Sequence, residues 1–136
     1  MRKGFVLITV VVLVALFLAM SLMLSRMIYA NYSFSNAQVK SLQALCLSEA
    51  GVERAKTEIV KNPAWYTDLT SGPINKKWLI YHALGKIVDY GEGQFKIVRL
   101  KGKSDLYSVG YFSRARSIIK ITFQAEPYRT LSWEQL

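Results

Sequence analysis

From Phe5 to Leu24 the chain runs for twenty residues without a charge, and only Thr9 and Ser21 interrupt its apolar side chains. A helix rises ~1.5 Å per residue, so a stretch of this length matches the ~30 Å hydrocarbon core of a bilayer. It is too long for the h-region of a secretory signal, typically ~7–15 residues. The best small-residue cleavage pattern, near Ile28 and Ala30, also lies well past its end. The run predicts a transmembrane helix. Arg2 and Lys3 stand before it and only Arg26 follows closely, a bias that places the N-terminus in the cytoplasm and the rest of the chain outside.

No turn follows the run. The first proline is Pro63, and Gly4 and Gly51 are the only glycines before it, so one helix is expected from about Phe5 to about Lys61. At ~1.5 Å per residue it is roughly 85 Å long, and about half of it leaves the bilayer. In that half Val39, Leu42, Leu45, Cys46, Val52 and Ile59 recur at helical spacing, with Lys40, Gln43, Glu53 and Arg54 between them. Glu53 with Lys56 and Arg54 with Glu58 sit at pairing distance on the wet face, and Asn62-Pro63 stops the helix.

The remaining residues, 62–136, suffice for one small domain. Residues 62–77 read as a loop, marked by Pro63, Ser71-Gly72-Pro73 and Asn75, with Trp65, Tyr66 and Leu69 as anchors. Trp78 to Leu84 is a short helix ending at Gly85, or a strand; helix is favoured. Gln94–Leu100, Leu106–Phe112 and Ser117–Phe123 alternate as strands do, and Lys101–Ser104 and Ser113-Arg114 are the tight links of an antiparallel meander. The fold class expected is α+β: a long helix packed on a small antiparallel sheet of three or four strands. The sheet's single apolar face has only the Leu42, Leu45, Val52 and Ile59 side of the helix to cover it. Gly51 either admits a close approach of the sheet or is a glycine on a wet face. After Pro127 the tail is poorly ordered or edge-packed.

Chemistry is sparsely provided for. One cysteine and one histidine in 136 residues leave no disulfide framework, no cysteine-based zinc site and no nucleophile–base arrangement. Cys46 reads as a small buried hydrophobe, with an intermolecular disulfide as the alternative, and His82 as a packed, hydrogen-bonded side chain. Gly91-Glu92-Gly93 is a turn before a strand, without the helix that a phosphate-cradling loop requires. No catalytic residue, metal site or cofactor is expected, and the chain reads as non-enzymatic.

Charge points to anionic partners. The chain carries 18 Lys+Arg against 9 Asp+Glu. From Lys76 to Arg129 there are eleven basic and four acidic residues, or +7. Lys101, Lys103, Arg114 and Arg116, with Tyr107, Tyr111 and Phe112 nearby, form a candidate anion site for DNA or lipid headgroups; a solvated strand face is the plainer reading.

Arg2-Lys3-Gly4-Phe5 followed by a long apolar helix resembles the start of type IV pilin-like subunits. The resemblance implies that a prepilin peptidase cuts between Gly4 and Phe5 and that Phe5 becomes the N-methylated N-terminus. Ser48-Glu49-Ala50-Gly51-Val52-Glu53-Arg54-Ala55 is similar to the A-E-A-G-x-E-R-A stretch of PilX-type minor pilins. Tyr107-Ser108-Val109-Gly110 with Arg114-Ala115-Arg116-Ser117-Ile118 is similar to that group's S-x-G-x-x-x-x-A-R-R-x-I pair of strands. Thr9 stands where the family usually carries a glutamate, and Arg26 where major pilins often carry a helix-kinking proline.

With the leader 1–4 that the resemblance implies, the expected domain order is leader 1–4, membrane-spanning half-helix 5–25, amphipathic half-helix 26–61, and connecting loop with sheet domain 62–136. It implies a minor pilin or pseudopilin held in the bacterial inner membrane and then built into a periplasmic or extracellular filament of a type IV pilus or a secretion system. Expected partners are other pilin subunits, the prepilin peptidase, the inner-membrane assembly machinery and membrane lipid. The alternative is a single-pass anchored module that binds DNA or another anionic ligand.

Overall fold

The computed structural model describes residues 2–69, 73–125 and 128–136. Of the features read from the sequence, Met1 of the leader, Ser71-Gly72 of the loop and Pro127 lie outside the described residues, as do the side chains of Arg2 and Lys3. The chain forms two compact units, 1–37 and 38–136.

The first helix, α1, is continuous from Arg2 to Lys61. It ends where the sequence stops it: Asn62 N–H donates to the Glu58 carbonyl, and the Asn62 side chain accepts from Ala64 N–H at 3.1 Å ahead of the irregular loop. In the first unit every described side chain of α1 is exposed, among them Phe5 at 73%, Leu16 at 53% and Tyr29 at 76%. The helix is long and apolar enough to cross a membrane, and a bilayer satisfies such a surface where water does not.

The second unit is built on a five-stranded antiparallel sheet in the order β1-β2-β3-β4-β5. The strands are β1 (Lys86–Tyr90), β2 (Gly93–Arg99), β3 (Asp105–Phe112), β4 (Ala115–Ala125) and β5 (Tyr128–Gln135). The three alternating runs are the three central strands. Two edge strands exceed the expected three or four, and the tail is ordered as β5, with its described side chains exposed. The tight links lie where expected, with Gly102 and Ser113 in the left-handed region.

Residues 38–61 of α1 cover one sheet face. Leu47, Val52, Ala55 and Ile59 pack with Phe95, Ile97, Leu106, Ile119, Ile121 and Phe123. The helix is rotated from the expected orientation: Leu42 is 61% exposed and Cys46 is exposed, whereas Ala44, Ser48 and Ala55 are fully buried. Strand β3 causes the rotation by crossing α1 at close range through Ser108 and Gly110. Only small helix residues fit opposite them, so the larger Leu42 and the Cys46 thiol turn outward.

The opposite face is also apolar and covered, contrary to the expectation of one buried face. A short helix α2 (Lys76–Tyr81), capped by the Asn75 side chain accepting from Trp78 N–H at 2.7 Å, lays Leu79 on Val98, Tyr107, Val109 and Ile118. Alternation along β2, β3 and β4 thus feeds two cores, one under each helix.

Candidate functional site

Three groups of residues singled out by the sequence can be placed. At the start of α1, a Cβ on Gly4 would meet nothing within 4 Å, and Phe5 is exposed. The Thr9 hydroxyl donates to the Phe5 carbonyl at 2.9 Å, one helical turn back. Its polar group is thereby satisfied within its own helix, which lets threonine sit in an apolar setting at little cost.

The stretch around Gly51 divides by face. Gly51 is buried against Ser108 and Phe95, and Ala50 packs at the edge of the same core. A Cβ on Gly51 would press into the Ser108 hydroxyl and lie 3.0 Å from Phe95 Cδ2, so the close-approach reading of this glycine holds. Glu49, Glu53 and Arg54 point to solvent. Glu53 pairs with Lys56, and Arg54 lies 3.6 Å from Glu58, as the helical spacings predict. Glu58 also accepts from Lys86 Nζ on β1 at 3.1 Å, and this hydrogen bond holds its carboxyl below the usual range. Glu49 has no ion-pair partner among the described residues.

The four candidate anion-binding residues do not form one site. Lys101 and Lys103 lie in the β2–β3 turn, while Arg114 and Arg116 lie at the β3–β4 turn, at the other end of an eight-residue strand. At ~3.3 Å per residue the two pairs are roughly 25 Å apart. The aromatic residues assigned to them are largely engaged elsewhere. Tyr107 is buried under α2 and Phe112 packs toward α1, while the Tyr111 hydroxyl donates to the Ile80 carbonyl at 3.2 Å. Arg116 Nη1 donates to the Tyr81 hydroxyl at 2.7 Å, with its guanidinium 5.1 Å from that ring. Lys101 Nζ lies 5.6 Å from the Tyr66 ring centroid.

The structure also reveals a buried polar network that residue spacing did not suggest. Asp68, only 5% exposed, accepts from Leu84 N–H at 2.8 Å and Gly85 N–H at 3.0 Å, and takes the Thr67 hydroxyl at 2.8 Å. Its backbone bridges to Leu100 beside β2. Lys96 donates to the Ile80 and Ala83 carbonyls at 3.0 and 3.1 Å. Burial pushes the Lys96 ammonium down in pKa, and the nearby Asp68 carboxylate opposes that shift. Arg99 donates to the Trp65 carbonyl at 2.6 Å and lies over the Phe123 ring. Asp68, Lys96 and Arg99 thus tie the connection after α1 to β2. Of the anchors expected there, Trp65 packs on the core, Tyr66 is 40% exposed and Leu69 is exposed.

His82 is exposed rather than packed, and Cys46 is exposed on α1. Among the described residues no group of three or more His, Cys, Asp or Glu is placed to hold a metal ion. Comparison of the chain with family models, curated proteins and solved structures finds no match.

Proposed function

We propose that this chain is a non-enzymatic, membrane-inserted prepilin-like subunit. In this reading a prepilin peptidase removes residues 1–4, Phe5 becomes the methylated N-terminus, and the mature chain joins a type IV pilus or secretion pseudopilus as a minor component. The observation that carries the reading is α1 itself: one unbroken helix, exposed and apolar in the first unit, then packed on an antiparallel sheet through the small-residue face containing Gly51. The exposed part needs lipid before assembly and equally apolar helices from neighbouring subunits after it.

Thr9 supports a place at or near the filament tip. In the family, a glutamate at this position is thought to pair with the N-terminal amine of an adjacent subunit, and an unpaired charge in hydrocarbon costs several kcal/mol. Threonine forms no such pair, and its hydroxyl is satisfied by the Phe5 carbonyl. A subunit without the acid loses nothing where the pairing neighbour is missing. Gold labelling of purified filaments is expected to mark few copies, at one end. Even labelling along the shaft would overturn the tip placement, and absence from filaments would overturn the subunit reading.

A further inference from the structure

The charged residues of the sheet divide unequally between its two ends. The end holding the β1–β2 and β3–β4 turns carries both Arg114 and Arg116 and the exposed acids Asp89 and Glu92. Asp89 and Glu92 line one surface cleft with Tyr111 and Ser113, next to those arginines in the chain. Arg116 is further committed to Tyr81.

The other end is different. Lys101 and Lys103 flank Gly102 in the β2–β3 turn, and Lys101 N–H is tied to the Asp68 carbonyl at 3.1 Å. The last turn of α1 brings Lys61 to this end, because the Trp65 carbonyl just beyond it is held by Arg99 at the finish of β2. Strand β5 brings Arg129, opposite Gln124, one residue beyond the point where Phe123 N–H donates to the Ser104 carbonyl. Lys61, Lys101, Lys103 and Arg129 are all exposed, and none forms an ion pair among the described residues. The described acids at this end are already engaged: Glu58 by Lys86 and Arg54, Asp68 by two backbone N–H groups, and Asp105 by the Thr122 hydroxyl and Lys120. Tyr66, on the connection after α1, is partly exposed, with its ring beside Lys101.

We infer that this end of the sheet binds single-stranded nucleic acid, with Lys61, Lys101, Lys103 and Arg129 contacting phosphates and Tyr66 offering a face on which a base stacks. Unpaired cations at one end of a sheet, with an accessible aromatic ring beside one of them, are the elements that hold a phosphodiester chain without sequence preference. The placement of these residues is the whole basis for the site, which would exist whether or not the chain enters a filament.

The test uses the full chain in nanodiscs of zwitterionic lipid and a labelled single-stranded DNA of about 20 nucleotides, with anisotropy measured between about 50 and 200 mM salt. Two double variants are compared: Lys101→Gln with Lys103→Gln, and Arg114→Gln with Arg116→Gln. Each removes two positive charges, so a difference between them reports placement and not net charge. Both pairs lie in or beside exposed turns, and circular dichroism checks that each variant retains the fold. The lysine pair is expected to weaken binding about 20-fold at ~0.1 M salt and to flatten the salt slope by about 1.4, as for two lost phosphate contacts, while the arginine pair leaves both nearly unchanged. Tyr66→Ala is expected to weaken binding without changing the slope. Absence of binding at low salt, equal losses in the two double variants, or displacement of the DNA by anionic-lipid vesicles with the same lysine dependence would each overturn the inference.

Discussion

Replacing Gly110 by alanine tests whether the helix–sheet contact is as close as the structure has it. A Cβ at this position would lie 2.6 Å from the Ser48 amide nitrogen and 3.1 Å from the Ala44 carbonyl carbon, and nearer still to the Ala44 carbonyl oxygen. Ordinary contacts between heavy atoms lie at ~3.5–4.0 Å, so α1 and β3 must separate by about 1 Å or more. All three obstructing atoms are helix backbone, which no rotamer change can move. A gap of that size forfeits a quarter to a half of the attraction at each contact across the interface, which here holds Ala44, Leu47, Val52, Ala55 and Ile59. The expected cost is about 3 kcal/mol or more, at the upper end for overpacking.

Gly51→Ala provides the contrast, because the nearest obstruction there is the Ser108 hydroxyl, a side-chain atom. Its cost is about 1–2 kcal/mol after the helix-propensity gain of ~1 kcal/mol. Ser108 Oγ is itself buried without a hydrogen-bond partner among the described residues, so Ser108→Ala is close to neutral, and the double variant recovers most of the loss. Urea unfolding in detergent micelles, followed by near-ultraviolet circular dichroism of the tryptophans, reads these differences. A Gly110→Ala chain within about 0.5 kcal/mol of the parent would refute the close crossing, because that is the range of surface substitutions that touch nothing.

Asp68→Ala leaves the Leu84 and Gly85 N–H groups without their acceptor and is expected to cost about 2–4 kcal/mol in the same unfolding assay; a loss below about 0.5 kcal/mol would show that water replaces the carboxylate. Glu58 has its pKa lowered in the folded chain by the Lys86 hydrogen bond, so its contribution is present above the unfolded carboxylate value and is lost as pH falls through the folded one. The advantage of the parent over Lys86→Met is therefore expected to shrink on going from about pH 6 to pH 3, and an unchanged difference would remove Glu58 as its source.

The parts legible from sequence are those in which one local signal dominates. Absence of proline and near-absence of glycine before Pro63 give the length of α1, and strict alternation gives β2, β3 and the middle of β4. The edge strands carry weaker signals. Strand β1 has five residues between glycines, and β5 mixes Arg129, Thr130, Ser132 and Glu134 with Leu131 and Trp133 because it packs little of its surface. Large side chains are poor markers of the buried face of α1, because the close approach of Ser108 and Gly110 selects Ala44, Ser48, Gly51 and Ala55 instead. The candidate anion residues share a basic stretch of sequence, but an intervening strand carries them to opposite ends. Asp68 leaves no trace in the pattern, since a lone acid in a loop ordinarily marks solvent and here its partners are backbone amides contributed by residues 84 and 85.

The prepilin-like assignment is tested most directly by the mass of the mature chain. Co-expression with a prepilin peptidase, followed by intact-mass measurement of the membrane-extracted protein, is expected to give a chain that begins at Phe5, lacks Met1 to Gly4 and carries one added methyl group. A chain that retains its first four residues, or one cut near Ala30, would contradict the assignment.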